Sequence, residues 1–565
     1  MTRTALATFL LGILSLASST SAQPLFQAIY NNYSYIQPGM PNYGIAQGSV
    51  FVILRGGDSD LAESIASQGV PLQTSLAGVG ITVTVGGVTT QAIPYYVSPS
   101  QITALLPSKT PLGNGLVKVF SGGNIRTTDA ITVVQSAFGL ATNPTPESFG
   151  VVMAAVAQNA SEGSQLLSPT NAANPGEYLT LWGSGLGPVS GDETIYQTQT
   201  TLANIPVEVD IGGVNATVTY YGRSIYPGVD QINVIVPAGV SGCNVSVVVT
   251  AGGVPSNFAT IPVATSGRLC SDPGLVPVTP SEYQTLLSRS DVGLGAISLT
   301  TFTNIGGSAG SDTSDSAYAT FQEFSANQFG YTGFFQQPSI GSCLVRYDVN
   351  REPPLPPPPL ISSSSPLNAG GQIHVNGPNG SLSLPRVLGT GSYTEPFGTS
   401  PAIVPSTGGT FTFDNGSGGT DVGAFTASLS GSLTTPLVWT NRSAITAVER
   451  AKGQSITWTG GSPGSYVSIF GYSSFAVGAP EGGNTFLYAY FTCSAPVSDG
   501  QFTVPATVLE SLPATISVPL VPNGPLLPSG YLYVASGTIQ RFSAPGLDLG
   551  LLFFGAGSGI SVPLK

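Results

Sequence analysis

One histidine, His374, lies in the run Gly371-Gln372-Ile373-His374-Val375-Asn376, and that single imidazole bounds the available chemistry. A His-Glu-x-x-His zinc hydrolase needs two histidines and is excluded. The run alternates as a strand does, so His374 reads as a surface or edge residue rather than a general base. The nucleophile-elbow pattern Gly-x-Ser-x-Gly occurs at 306–310 and again at 460–464. With 72 glycines in the chain such matches arise by chance, and the motif also needs a strand-to-helix turn with an acid and a histidine in order. Pro463 lacks the N–H that the residue after the nucleophile gives to an oxyanion hole. Neither match reads as a triad.

Paired carboxylates can cleave glycosides without histidine. The candidates are Asp312 with Asp315 and Asp414 with Asp421, all in Gly/Ser-rich sequence where acidic side chains commonly close turns. Asp414, Asn415 and Asp421 could also offer oxygen ligands to Ca²⁺, although their spacing is not that of an EF-hand. Tyr95-Tyr96, Tyr220-Tyr221 and Tyr488 with Tyr490 could stack on sugars, yet each pair lies where a strand would bury one member. No catalytic, cofactor-binding or metal-binding residue is assigned on this basis, and no cofactor is implied.

The elements that would position these residues read as strands. Gly and Pro number 72 and 46 of 565 residues, and only 8% of residues are charged, a composition suited to many short strands and tight turns. A net charge of −12 with only 16 Lys and Arg argues against nucleic acid and against an anionic membrane surface. Arg3, the apolar run 5–16 and the small residues Thr20-Ser21-Ala22 form a secretory signal pattern, so the mature chain is expected outside the cell or at its surface, with no membrane span. In that setting Cys243, Cys270, Cys343 and Cys493 imply two disulfides with three possible pairings. Pairing 243 with 270 and 343 with 493 is favoured because each bond then stays within one region.

A repeated phrase organises the first half. Gly86-Gly87-Val88 is followed by Gln101-Ile102 and Pro107; Gly212-Gly213-Val214 is followed by Gln231-Ile232 and Pro237. Opening strands at 48–54 and 176–182 precede each Gly-Gly-Val at nearly equal distance. Such self-similarity states architecture before chemistry. The copies differ at residues 60–67 and by four extra residues within 222–229, which is where a local function is sought.

In the second copy, Asn174-Pro175-Gly176, then Leu179-Thr180-Leu181-Trp182-Gly183-Ser184-Gly185-Leu186-Gly187-Pro188-Val189, then Asp230-Gln231-Ile232-Asn233-Val234, resemble the uncharacterised secreted proteins of acidobacteria grouped under a Solibacter-type domain. The Gly-Ser-Gly-Leu-Gly turn and the Gly-Gly-Val hairpin also resemble the TIG (IPT) class of immunoglobulin-like domain. The resemblance spans 171–273 and is looser over the first copy, where Arg55-Gly56-Gly57-Asp58 departs from the turn. It implies a fold and carries no activity.

The expected fold is all-β, with tandem immunoglobulin-like (TIG/IPT-like) sandwiches followed by a further β-rich C-terminal region. Residues 1–22 are expected as a signal peptide, 23–135 and 136–273 as the two sandwiches, and 274–350 as a mixed segment with a short helix and loops. A Pro/Ser-rich stretch follows at 351–366 and the β-rich region at 367–565. The expected function is a secreted non-catalytic protein that binds, adheres or builds surface structure, with an extracellular polysaccharide or protein as partner. The alternative is a secreted carboxylate-based glycoside hydrolase or other polysaccharide-active enzyme.

Overall fold

The computed structural model describes residues 28–54, 64–143, 154–272, 275, 277–307, 310–325, 337–351, 365–395, 403–405, 409–429, 437–478, 484–519, 526–528 and 530–565. The signal pattern, the 55–58 turn, residues 60–63 of the first-copy insertion and the proline run lie outside these residues. The chain is all-β, with immunoglobulin-like sandwiches in tandem and a further β-rich C-terminal region.

The repeated Gly-Gly is a local backbone device. Gly86 and Gly87 sit at φ 57° and 82°, and Gly212 and Gly213 at 62° and 76°. Two consecutive left-handed residues make the tight hairpin whose twist matches its flanking strands, and only glycine enters it without strain. Gly86-Gly87 joins Val79–Val85 to Val88–Val97, and Gly212-Gly213 joins Val207–Ile211 to Val214–Asn215. Gln101–Leu105 and Asp230–Ile235 are the strands that follow. Pro107 and Pro237 stand just past them, where no ladder N–H is needed.

In the first repeat one long strand, Val88–Val97, pairs with Val79–Val85 along its first half and with Gln101–Leu105 along its second. The register shifts between Pro94 and Tyr96, so a single sheet wraps around its own core. Val79–Val85 buries every second residue. Val79, Ile81 and Val83 face Phe51, Ile102 and Val117. The second repeat is a two-sheet sandwich. Tyr178–Ser184 lies between Ala157–Asn159 and Asp230–Ile235 in one sheet, and Gly242–Ala251 lies between Val207–Ile211 and Ala259–Val263 in the other. Leu181, Ile232, Val234, Val209, Val247 and Ile261 meet in its core.

The mixed segment expected at 274–350 is corrected in part. Its helix forms over Pro280–Leu287 with Thr279 as N-cap, and Glu282 returns a bond to the Thr279 backbone, the reciprocal arrangement that satisfies two orphan donors. The Gly/Ser-rich sequence beyond it is not loop. Asp291–Gly307 and Gly310–Ser325 form a long hairpin, and Cys343–Arg351 pairs with Asn484–Pro496. All three belong to one nine-stranded sheet with Tyr466–Gly478, Tyr531–Phe542 and Leu549–Ser561. Strands on both sides of the proline run therefore share a sheet.

Composition hid these strands because their glycines are positions of close approach. A Cβ on Gly295 would stand 2.9 Å from the Phe321 ring. On Leu549–Ser561, Gly557 and Gly559 recur at the strand period, and Tyr533 and Tyr531 lie over them. Glycine that lowers strand propensity thus makes room for large rings.

The units are not separate beads. Ile36 and Met40, from the chain before the first repeat's central strands, join Val248 and Phe258 of the second repeat, Leu344 and Phe491 of the nine-stranded sheet, and Trp458 of a three-stranded sheet that includes Gln454–Thr459 in one buried cluster. Asn42, 3% exposed, donates from Nδ2 to Pro255 O (3.1 Å) and Tyr347 Oη (2.9 Å). Burial pushes the Tyr347 phenol up to about 12.

Candidate functional site

The most concentrated polar chemistry among the described residues lies where the two repeats meet. Arg223 ends the strand Thr217–Arg223 and Asp230 begins the strand Asp230–Ile235, opposite each other in register. Their side chains are 1% and 0% exposed, and Arg223 Nε donates to Asp230 Oδ1 at 2.8 Å. Asp230 Oδ2 accepts from the backbone N–H of Gly185 (2.7 Å) and Leu186 (2.8 Å). Asp230 therefore holds the Gly-Ser-Gly-Leu-Gly turn itself. Gly185, at φ 111°, leaves no space there, since a Cβ would come 2.3 Å from Ala137 O.

The same cluster reaches into the first repeat. Arg223 Nη2 donates to Gly187 O (3.2 Å), and Nη1 lies 4.0 Å from Glu193 Oε1. Glu193 accepts from the Ser108 backbone N–H (2.8 Å) and from Ser108 Oγ (2.7 Å). Ser184 Oγ donates to Gly228 O (2.6 Å) and accepts from Val50 N–H (2.9 Å). Tyr95 Oη donates to Pro227 O (2.7 Å), and burial drives this phenol far above its ordinary range. Gly228 and Pro227 belong to the extra residues of the second copy. The length difference between copies thus builds a joint between repeats.

A second ion-pair cluster closes the far end of the second sandwich. Arg268 grips Glu177 with two 2.7 Å bonds and also reaches Glu162 at 2.6 Å. Asn174 N–H and Asn159 Nδ2 add donors to Glu177. The Arg268 hydrogen bonds, foremost, hold the Glu177 carboxyl down at about 2. A folded-state value below the ordinary 4.5 favours folding above that pH, and the contribution fades as pH falls from 4.5 toward 2. The unfolding midpoint is expected to drop across that window, with a smaller drop in Glu177→Gln; an unchanged acid profile in thermal melts of the variant would refute the assignment.

The cysteines form Cys243–Cys270 (Cα–Cα 5.1 Å) and Cys343–Cys493 (4.0 Å). Beside the first bond, a cavity of about 40 Å³ is lined by Asp272, Leu275, Val278, Tyr283 and Gln337. Asp272 accepts from Cys243 N–H at 2.6 Å, and burial raises its carboxyl above the ordinary range.

The other candidate residues are committed elsewhere. His374 Nδ1 lies 2.8 Å from Asp414 Oδ1, and its Nε2 faces the Gln372 amide at 2.7 Å rather than a hydroxyl. Asn415 Oδ1 accepts from Phe425 N–H, and Asp421 Oδ2 from Asn368 N–H. The three oxygens proposed for calcium thus serve three different backbone or side-chain donors, and no cluster of three or more His, Cys, Asp or Glu with metal-holding geometry occurs among the described residues. Asp312 and Asp315 both fall within the strand Gly310–Ser325. Asp315 Oδ2 accepts from Val404 N–H. The 460–464 motif is a turn between Gln454–Thr459 and Tyr466–Gly478, with no helix after its serine. Tyr488 is 9% exposed, and Tyr490 packs on Phe470.

Sequence reasoning did not single out Arg223, Glu193, Ser108 or Arg268. A signal existed: with 16 Lys and Arg in 565 residues, an arginine at a strand end seven residues from an aspartate is a marked position. No helix among the described residues is long and apolar enough to cross a membrane.

No family profile matches the sequence, and no curated protein matches it. Among solved structures, a tetra-tandem repeat from the extending region of a large adhesion protein aligns at 14% identity over 92% of this chain and 97% of its own, with TM-score 0.13. Domains 5–6 of the S-layer protein SbsC align at 11% identity over 43% and 97%, TM-score 0.16. A Bacteroides ovatus protein, SGBP-B of a mixed-linkage glucan utilization locus, in complex with a mixed-linkage heptasaccharide, aligns at 10% identity over 87% and 96%, TM-score 0.12. At these scores the likenesses carry no argument, and the fold class rests on the chain's own strands and sheets.

Proposed function

We propose that this chain is a secreted, non-catalytic scaffold of the cell exterior, in which β-units are fixed at their joints to present loops for binding or adhesion. One observation carries this reading: the charged side chains at the joint are committed to structure, Arg223 pairing with Asp230 inside the second repeat and Glu193 bonding Ser108 of the first, while the half-exposed His374 is bonded to Asp414 and Gln372. Asp230 is fully enclosed by Arg223 and two backbone donors, whereas a catalytic carboxylate needs an open face toward substrate. The Asp230-held Gly-Ser-Gly-Leu-Gly turn supports placing the second repeat in the TIG class and the chain among the secreted proteins that it resembles. Two disulfides and the apolar run after Arg3 support export.

Small-angle scattering of the full chain should report one particle whose dimensions do not change with salt, and incubation with polysaccharides should release no reducing ends. Scattering typical of domains on free linkers would sink the scaffold. Sugar release abolished by one Asp or Glu substitution would replace it with the glycosidase.

A further inference from the structure

The joint between the repeats has an outer surface that its buried ion pair does not explain. Ile195, Tyr196, Ile225 and Tyr226 are 42%, 60%, 47% and 48% exposed. Single exposed apolar residues are ordinary; four on two adjoining segments are not. Gln197 N–H donates to Ile225 O at 2.8 Å and so ties the segments together. The Tyr196 and Tyr226 rings meet edge to face with centroids 6.2 Å apart. Ile225 and Tyr226 sit within 222–229, the stretch that the second copy has lengthened. Below them Ser224, Pro227 and Gly228 are buried in the joint, so the rings stand on a fixed base.

We propose that this surface is a docking site for a neutral polysaccharide, a proposal that deepens the scaffold reading and rests on it. Tyrosine offers a flat apolar face for the C–H side of a sugar ring and a hydroxyl for its edge. The surroundings are mainly neutral and polar: Gln197 bonds Asp192 O and Ile195 O, and Gln199 Nε2 donates to Gln231 Oε1 at 2.8 Å. Amides of this kind both give and accept hydrogen bonds to hydroxyls. One exposed carboxylate, Asp192, lies on the same segment with its Oδ1 bonded by Thr194, and the side chains of Arg223 and Glu193 are enclosed. A polyanion would find no exposed cation here and would meet a chain of net charge −12.

The test is retention of the full chain on cellulose, curdlan and mannan, with polygalacturonate as the anionic control. Retention on at least one neutral polymer is expected, insensitive to added salt and absent on polygalacturonate. Tyr196→Ala/Tyr226→Ala should bind about tenfold or more weakly, as loss of two ring contacts implies, at unchanged melting temperature. Tyr196→Phe/Tyr226→Phe keeps the rings and should keep most of the binding, which separates stacking from misfolding. No retention on any neutral polymer, or equal retention by the alanine variant, overturns the site. Retention only on polygalacturonate, or capture of a protein partner with no polymer bound, overturns the ligand class. None of these outcomes alters the scattering result, so failure of the site and failure of the scaffold are read separately.

Discussion

Arg223→Met is expected to destabilise the paired repeats by about 3–5 kcal/mol, the usual cost of stranding one partner of a buried ion pair. Both side chains are essentially inaccessible, so solvent screening does not reduce the effect as it would at a surface. Asp230 keeps its bonds to Gly185 and Leu186 N–H in that variant, which places Arg223→Met at the lower end of the range. Asp230→Ala should cost more, because it strands the guanidinium and two backbone donors together. Denaturant unfolding followed through Trp182 reads the second repeat, in a background where Trp439 and Trp458 are phenylalanine. A loss below about 1 kcal/mol for both variants would mean that the cluster is incidental to the joint.

The second large effect is expected at Cys343–Cys493. Its cysteines are 150 residues apart in sequence, against 27 for Cys243–Cys270. Loop-closure entropy puts removal of the longer link at about 5 kcal/mol and the shorter at about 3.5 kcal/mol. Cys343–Arg351 is also the edge strand of the nine-stranded sheet. Its ladder to Asn484–Pro496 begins at the Cys343–Cys493 pair. Loss of the bond lets the edge fray and exposes the neighbouring strand to pairing with other chains. Cys343→Ser/Cys493→Ser should therefore melt lower than Cys243→Ser/Cys270→Ser and aggregate on heating. Equal melting points for the two variants, by calorimetry with light scattering, would contradict the loop argument.

These two predictions differ in how visible their residues were in advance. Disulfide partners are few and regional, so four cysteines nearly dictate the answer. The hairpins were equally legible, because Gly86-Gly87 and Gly212-Gly213 fix their backbone with two residues and need nothing from the rest of the chain. The long hairpin Asp291–Ser325 was not, since its glycines argue against strand until Phe321 is seen occupying the space above Gly295.

The sequence by itself determined the all-β class, the twin Gly-Gly-Val hairpins, a short helix within 274–350 and the exclusion of a His-Glu-x-x-His zinc hydrolase. Each depends on local backbone preference or on simple residue counts. Only the tertiary structure decided that Asp230 holds the distant turn at Gly185 and Leu186, that Glu193 meets Ser108 across 85 residues, and that Asn42 meets Tyr347 across 305. Those contacts follow from how finished sheets pack, and packing joins positions whose separation along the chain holds no record of their distance in space. The four extra residues within 222–229 show the division most plainly: their number could be counted from sequence, but their burial in the joint, with two rings left outside, is a property of the assembled units.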